Sequence, residues 1–204
     1  MNSNHEEQPE QSEHKVFAVV IGGTIIMGLA AIGLGLLLGT PIGPQLSWSA
    51  NDVLIGVIAT LPLALFLSWF SNTQVPALTE FRRQQIKFFS EIGFEFTGPR
   101  VVMMVIGAGV SEELLFRGVL QSWIDEFAPV VIAIIASNII FGLLHMRTAL
   151  YAVIAGLVGV YLGALYFYTD NLLAPMITHG LYDFVALIYT KRAVDAYRQS
   201  APTD

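Results

Sequence analysis

The sequence predicts an all-α fold, a polytopic transmembrane helix bundle of about six spans. Three observations carry this expectation: 54% of the 204 residues are apolar or aromatic, only 13% are charged, and the mean hydropathy is +0.63. A soluble chain of this length buries only about 70% of its unfolded surface and needs a far more polar skin. The lack of cysteine excludes a disulfide framework, an iron–sulfur site, a cysteine-type zinc finger and a cysteine nucleophile. Any metal would have to use His, Asp or Glu. A formal charge of −6 argues against a nucleic-acid partner, because phosphate neutralisation needs a basic surface.

Residues 1–15 carry Glu6, Glu7, Glu10 and Glu13 among polar neighbours and are expected to form a disordered acidic tail. The run from Val16 to Gly39 is too long, and its start too acidic, for a cleaved secretory signal, so it reads as the first span. Roughly 20 residues cross a bilayer core, and segments near that length recur at 53–70, 100–123, 128–146, 149–168 and 172–190. Thr40 to Pro44, Gly98-Pro99, Asp125 to Pro129 and Thr169 to Asn171 supply turn chemistry between spans. The bundle thus covers 16–190, with 191–204 as a cytoplasmic C-terminal tail. Between the second and third spans, Pro76 to Phe96 mixes Phe81, Ile86, Phe88, Phe89, Ile92 and Phe94 with Arg82, Arg83 and Lys87. That pattern predicts an interfacial amphipathic helix on the cytoplasmic leaflet, or alternatively a loop helix packed on the bundle.

Six spans place Lys15, Arg82, Arg83, Lys87, Arg100, Arg147, Lys191, Arg192 and Arg198 on one side and only Asp52, Asp125, Glu126 and Asp170 on the other. Cytoplasmic loops are the basic ones, so both termini are expected in the cytoplasm. Trp48, Trp69, Trp123, Tyr166, Tyr168 and Tyr189 fall near span ends, where aromatic belts sit among the lipids.

Glu112, Glu113, Arg117, His145, His179 and Asp183 lie inside the spans. An Asp, Lys or Arg at a helix centre costs about 2.5–3.5 kcal/mol even on lenient scales, so this set must face a polar interior or one another. A buried ion-pair lattice, or an ion path, is the bland reading; a reactive site is the favoured one, since helices associate without burying charge. The i,i+4 relation lets Glu113 pair with Arg117, while Glu112 points about 100° away without a local cation. Glu112 is therefore the candidate general base. His145 shares one face with Asn138 and Phe141, and His179 stands four residues before Asp183. With neutral imidazoles the six groups sum to about −2, which a divalent cation or carboxylate protonation would relieve. Ser111 has no basic partner nearby in sequence, which speaks against a serine nucleophile.

Glu-Glu-x-x-x-Arg at 112–117, Phe-x-x-x-His at 141–145 and His-x-x-x-Asp at 179–183, in that order on three spans, resemble the three motifs of the CPBP intramembrane proteases. That family includes the CAAX prenyl proteases of the Ras-converting type and bacterial proteins linked to bacteriocin processing and immunity. The resemblance covers a motif-bearing core at 100–190; the first two spans carry no signature. It implies that Glu112 and His145 activate a water, that Glu113 pairs with Arg117, and that His179 and Asp183 bind a metal or steady the oxyanion. Family members carry Asn or Asp at the last position, and an ionised Asp183 can ligate a metal but cannot donate to an oxyanion.

The resulting expectation is an intramembrane endopeptidase, in a bacterial inner (plasma) membrane, acting on a membrane-anchored or hydrophobic protein. Zinc is the expected cofactor, held by His145, His179 and Asp183 with Glu112 beside them. A metal-independent glutamate protease is the alternative within the family. A non-catalytic immunity or scaffold protein and an ion or proton transporter are the rivals from other classes; Pro62 and Pro175 lack the paired symmetry that broken transporter helices show.

Overall fold

Helix formation follows the apolar segments closely. The computed structural model describes residues 7–92 and 96–200, and the helices in chain order are α1 (Glu7–Leu38), α2 (Ile42–Gln45), α3 (Ala50–Asn72), α4 (Pro76–Glu91), α5 (Gly98–Glu113), a π-helical stretch (Leu114–Gln121), α6 (Ser122–Asp125), α7 (Val130–Leu144), α8 (Ala149–Thr169) and α9 (Leu173–Ser200). Among the described residues, three helices are long and apolar enough to cross a membrane, at His14–Leu38, Ala50–Asn72 and Ala149–Thr169, and Val130–Leu144 is a shorter apolar helix. Strands are absent from the described residues. The protein is an all-helical polytopic membrane bundle, as its composition requires.

Helix α9 is the axis of the assembly, packing against α3, α5, α4 and α8, while α7 packs on α8 and α1 lies along α5 and the π-helical stretch. Two close approaches set the arrangement. A Cβ on Gly109 would lie 3.1 Å from the backbone nitrogen of Gly180 and 3.3 Å from the Met176 carbonyl, so α5 and α9 touch backbone to backbone. At the end away from the basic residues, Asn171 donates to Ser47 O at 2.9 Å and to Asp52 at 2.8 Å, tying the start of α9 to that of α3. Asp170 ends α8 in the left-handed region (φ 48°), which a short polar side chain tolerates better than a bulky one.

At three places the described helices run differently from the expected segment bounds. The acidic stretch from Glu7 onward forms the start of α1. Glu and Gln are good helix formers, negative charge is favoured at a helix N-terminus, and the apolar span beyond has already met the nucleation cost; residues 1–6, with Glu6, lie outside the described residues. After Thr190 α9 runs on to Ser200, Val194 is buried, and Arg198 donates to the Ser90 carbonyl of α4 at 3.2 Å. The fourth apolar segment ends early, at Leu144, giving α7 a length of about 22 Å. Its last carbonyls are met by the backbone N–H of His145, which turns out of the helix at φ −91°, ψ 7°.

Helix α4 is amphipathic and also packed on the bundle. Phe81 is buried, its ring 5.8 Å from those of Phe70 and Tyr151. On the solvent side Arg83 donates to both Glu80 oxygens, and this with a hydrogen bond from Gln84 holds the Glu80 carboxyl down to about 2. Phe94 lies outside the described residues.

Candidate active site

All six intramembrane polar residues converge. Glu112 and Glu113 close α5, Arg117 lies in the π-helical stretch, His145 caps α7, and His179 and Asp183 occupy adjacent turns of α9. The Gly109 to Gly180 contact is what makes this possible, because one turn farther along α5 Glu113 meets His179 at 2.8 Å.

The two carboxylates divide as their directions on the helix demand. Glu113 and Arg117 form an ion pair of 2.7 Å with no exposure of either side chain, whereas the Glu112 side chain keeps 16% of its surface open. Arg117 also donates to Asn138 at 2.9 Å and to the Gly159 carbonyl at 2.7 Å, and its guanidinium stands 5.2 Å over the Phe141 ring. One cation thereby joins the π-helical stretch to α7 and α8. A buried charge with several charge-assisted hydrogen bonds is held firmly, and this one holds the walls of the site.

Glu112 is flanked by imidazoles. Its carboxylate lies 3.8 Å from His145 Nε2 and 3.9 Å from His179 Nε2, and Asp183 lies 3.5 Å from the same His179 nitrogen. Each ring is oriented from behind: His145 Nδ1 is 2.8 Å from the Phe141 carbonyl, and His179 Nδ1 is 2.8 Å from Glu113. With protons on both Nδ1 atoms, the two Nε2 atoms face Glu112. The Phe141 ring lies 4.3 Å from that of His145 and 6.4 Å from that of His179, so it fixes both from one side.

Those donors are of the type zinc takes, but their spacing is wider than a finished metal centre. Among the described residues no group of three or more His, Asp or Glu side chains stands ready to hold a metal ion. Ser111 does not join the cluster: its hydroxyl is buried without a partner, and its Cβ faces Gly28 of α1.

Sequence spacing alone identifies the Glu113–Arg117 pair and the His179–Asp183 proximity. It misses the second task of Glu113, which orients His179 from 66 residues away, and the Gly159 carbonyl, which completes the Arg117 shell from a helix without a motif. Asn138 was visible only as a polar residue on the His145 face. The structure gives it an acceptor role toward Arg117 and a donor role toward Ile134 O at 2.8 Å. A cavity of about 310 Å³ opens beside Asp183, between α3, α4, α5, α8 and α9.

Residues 95–185, which carry all six of these groups, match the family model described as type II CAAX prenyl endopeptidase, Rce1-like. The resemblance drawn from the three motifs is thus borne out over that segment. The chain is also similar to a protein of Bacillus subtilis (strain 168) named uncharacterized protein YpbD, 31% identical over 90 residues, which make up 43% of this chain and 43% of that protein. The chain therefore matches less than half the length of this curated relative. No solved structure matches the chain.

Proposed function

We propose that the protein is a CAAX-type intramembrane endopeptidase, acting on a membrane-anchored or hydrophobic protein in a bacterial inner membrane. The observation that carries the reading is the partly open Glu112 carboxylate between two imidazole Nε2 atoms at 3.8 and 3.9 Å. Separations of that size suit groups that share a bridging water better than groups that bond directly. In this reading Glu112 takes a proton from the water as its oxygen attacks the peptide carbonyl carbon, and His145 Nε2 helps to orient that water. The C–N bond then breaks, and the proton held by Glu112 passes to the leaving amine. Glu113 and Arg117 do not meet substrate; they fix His179 and the helix walls. The matched family description speaks of prenyl substrates, and for this chain the peptide-bond chemistry is what the site itself supports.

A second reading adds zinc at His145, His179 and Asp183 beside Glu112, supported by two imidazoles whose Nδ1 atoms are engaged and whose Nε2 atoms face Glu112. Bound there, zinc would supply a water of lowered pKa. The deciding experiment for the peptidase reading compares membrane proteomes of cells with wild-type and Glu112→Gln protein. Shortened products that vanish with Glu112→Gln are expected; identical proteomes at equal protein levels would refute the reading.

A further inference from the structure

Peptide hydrolysis by this site places negative charge on the substrate carbonyl oxygen, and the carboxylates among the motif residues cannot donate to it. Glu112, Glu113 and Asp183 are acceptors when ionised. Arg117 is fully buried and engaged with Glu113, Asn138 and the Gly159 carbonyl. Both Nδ1 positions are committed to Phe141 and Glu113, and His179 Nε2 faces the carboxylates of Asp183 and Glu112 at 3.5 and 3.9 Å.

A neutral donor stands next to this set on a helix without a motif. Tyr151 lies in the first turn of α8, where Thr148 caps the helix by accepting its backbone N–H at 3.1 Å. Only the short turn from His145 to Thr148 separates the two residues, and the Tyr151 ring meets that of His145 edge to face at 6.1 Å and 87°. Phe81 of α4 packs on it from the other side at 5.8 Å. The ring is thus fixed, yet among the described residues no protein group bonds its hydroxyl. Tyr151 lines the same cavity as Asp183.

We infer that Tyr151 is a further catalytic residue, whose hydroxyl donates a hydrogen bond to the substrate carbonyl oxygen as that oxygen becomes negative. The inference rests on the peptidase reading above. A preplaced neutral donor serves such a charge well, because it needs no reorganisation at the moment of reaction and adds no further ionised group to a site already rich in them. A phenol also has a donor proton at neutral pH that a carboxylate in position 183 lacks.

The test uses the full chain in liposomes with quenched-fluorescent peptides held to the bilayer by a farnesyl group or by an apolar helix. Tyr151→Phe keeps the ring between His145 and Phe81, so the fold is retained. The expected result is a kcat lowered about hundredfold to thousandfold with KM unchanged, the scale on which oxyanion donors act. A phosphinic peptide that mimics the tetrahedral intermediate should lose affinity by the same factor, while the intact peptide binds as before. A kcat within twofold of wild type overturns the inference, as does a loss matched by an equal loss of folded protein, or one that falls instead on Tyr182→Phe, since Tyr182 of α9 lines the same cavity. Failure of the peptidase reading has a different signature: Glu112→Gln would then cleave as well as wild type.

Discussion

At the scale of single residues, Arg117 shows how a membrane interior separates structural charge from reactive charge. Removing one member of a buried, hydrogen-bonded pair leaves the other charged and unsolvated, which costs about 3–5 kcal/mol. Arg117→Ala should therefore lower stability by that amount in a detergent unfolding titration, since Glu113, Asn138 and the Gly159 carbonyl all lose a donor at once. Glu112→Gln should change stability by under about 1 kcal/mol, because Glu112 makes no ion pair shorter than 3.8 Å, yet should abolish cleavage. Equal destabilisation in the two variants would remove the distinction. The zinc reading is settled at the same scale: metal-dependent protein should lose cleavage on chelation, regain it with zinc, and carry about one equivalent by elemental analysis, whereas full cleavage by metal-free protein would leave the glutamate reading alone. The Glu113–Arg117 pair is legible in the sequence because a 3.6-residue period fixes which side chains share a face. The Glu113–His179 bond is not, because no local period links residues 66 apart.

At the scale of helices, the site depends on how closely α5 approaches α9. Gly109 allows the Gly180 nitrogen to come within 3.1 Å of the place a Cβ would take, and Glu113 reaches His179 one turn later. Gly109→Val forces those backbones apart, and overpacking of this kind costs about 1–3 kcal/mol. It should also slow cleavage by more than its loss of folded protein explains, through displacement of His179. Unimpaired turnover per folded molecule would show that the helix approach does not govern the site. The stretch from Leu114 to Gln121 adds a second element-scale device: its i→i+5 winding keeps Arg117 beside Glu113 while Gln121 still reaches the Gly163 carbonyl of α8 at 3.0 Å. Hydropathy and spacing read the whole segment 100–123 as one ordinary helix, because wider winding leaves the apolar composition unchanged. The early end of α7 was equally hidden, since Leu144, His145 and Met146 carry no Gly or Pro to mark the break.

At the scale of the molecule, the basic residues gather at one end through contacts between distant parts of the chain. Arg100 of α5 lies 3.2 Å from His14 of α1, Arg147 donates to Gln85 of α4 at 2.7 Å and stands over the Phe88 ring, and Arg198 of α9 bonds the Ser90 carbonyl. The opposite end is joined by Asp52, Asn171 and Ser47 and has no basic group among these contacts. An electrostatic asymmetry of this kind is what orients a polytopic chain, since Lys and Arg near span ends are retained on the cytoplasmic side. Both termini should therefore be cytoplasmic, with the cavity beside Asp183, walled by Arg82 and Gln85 of α4, facing the same side. Reporters placed after Asp204 or near Arg83 should read as cytoplasmic, and reporters near Pro44 or Asp170 as external. An external C-terminus with Arg83 still cytoplasmic would require an odd number of crossings after Arg83. Reversal of all four reporters would preserve the bundle and move the site to the outer face, so the map decides from which side a substrate reaches Glu112.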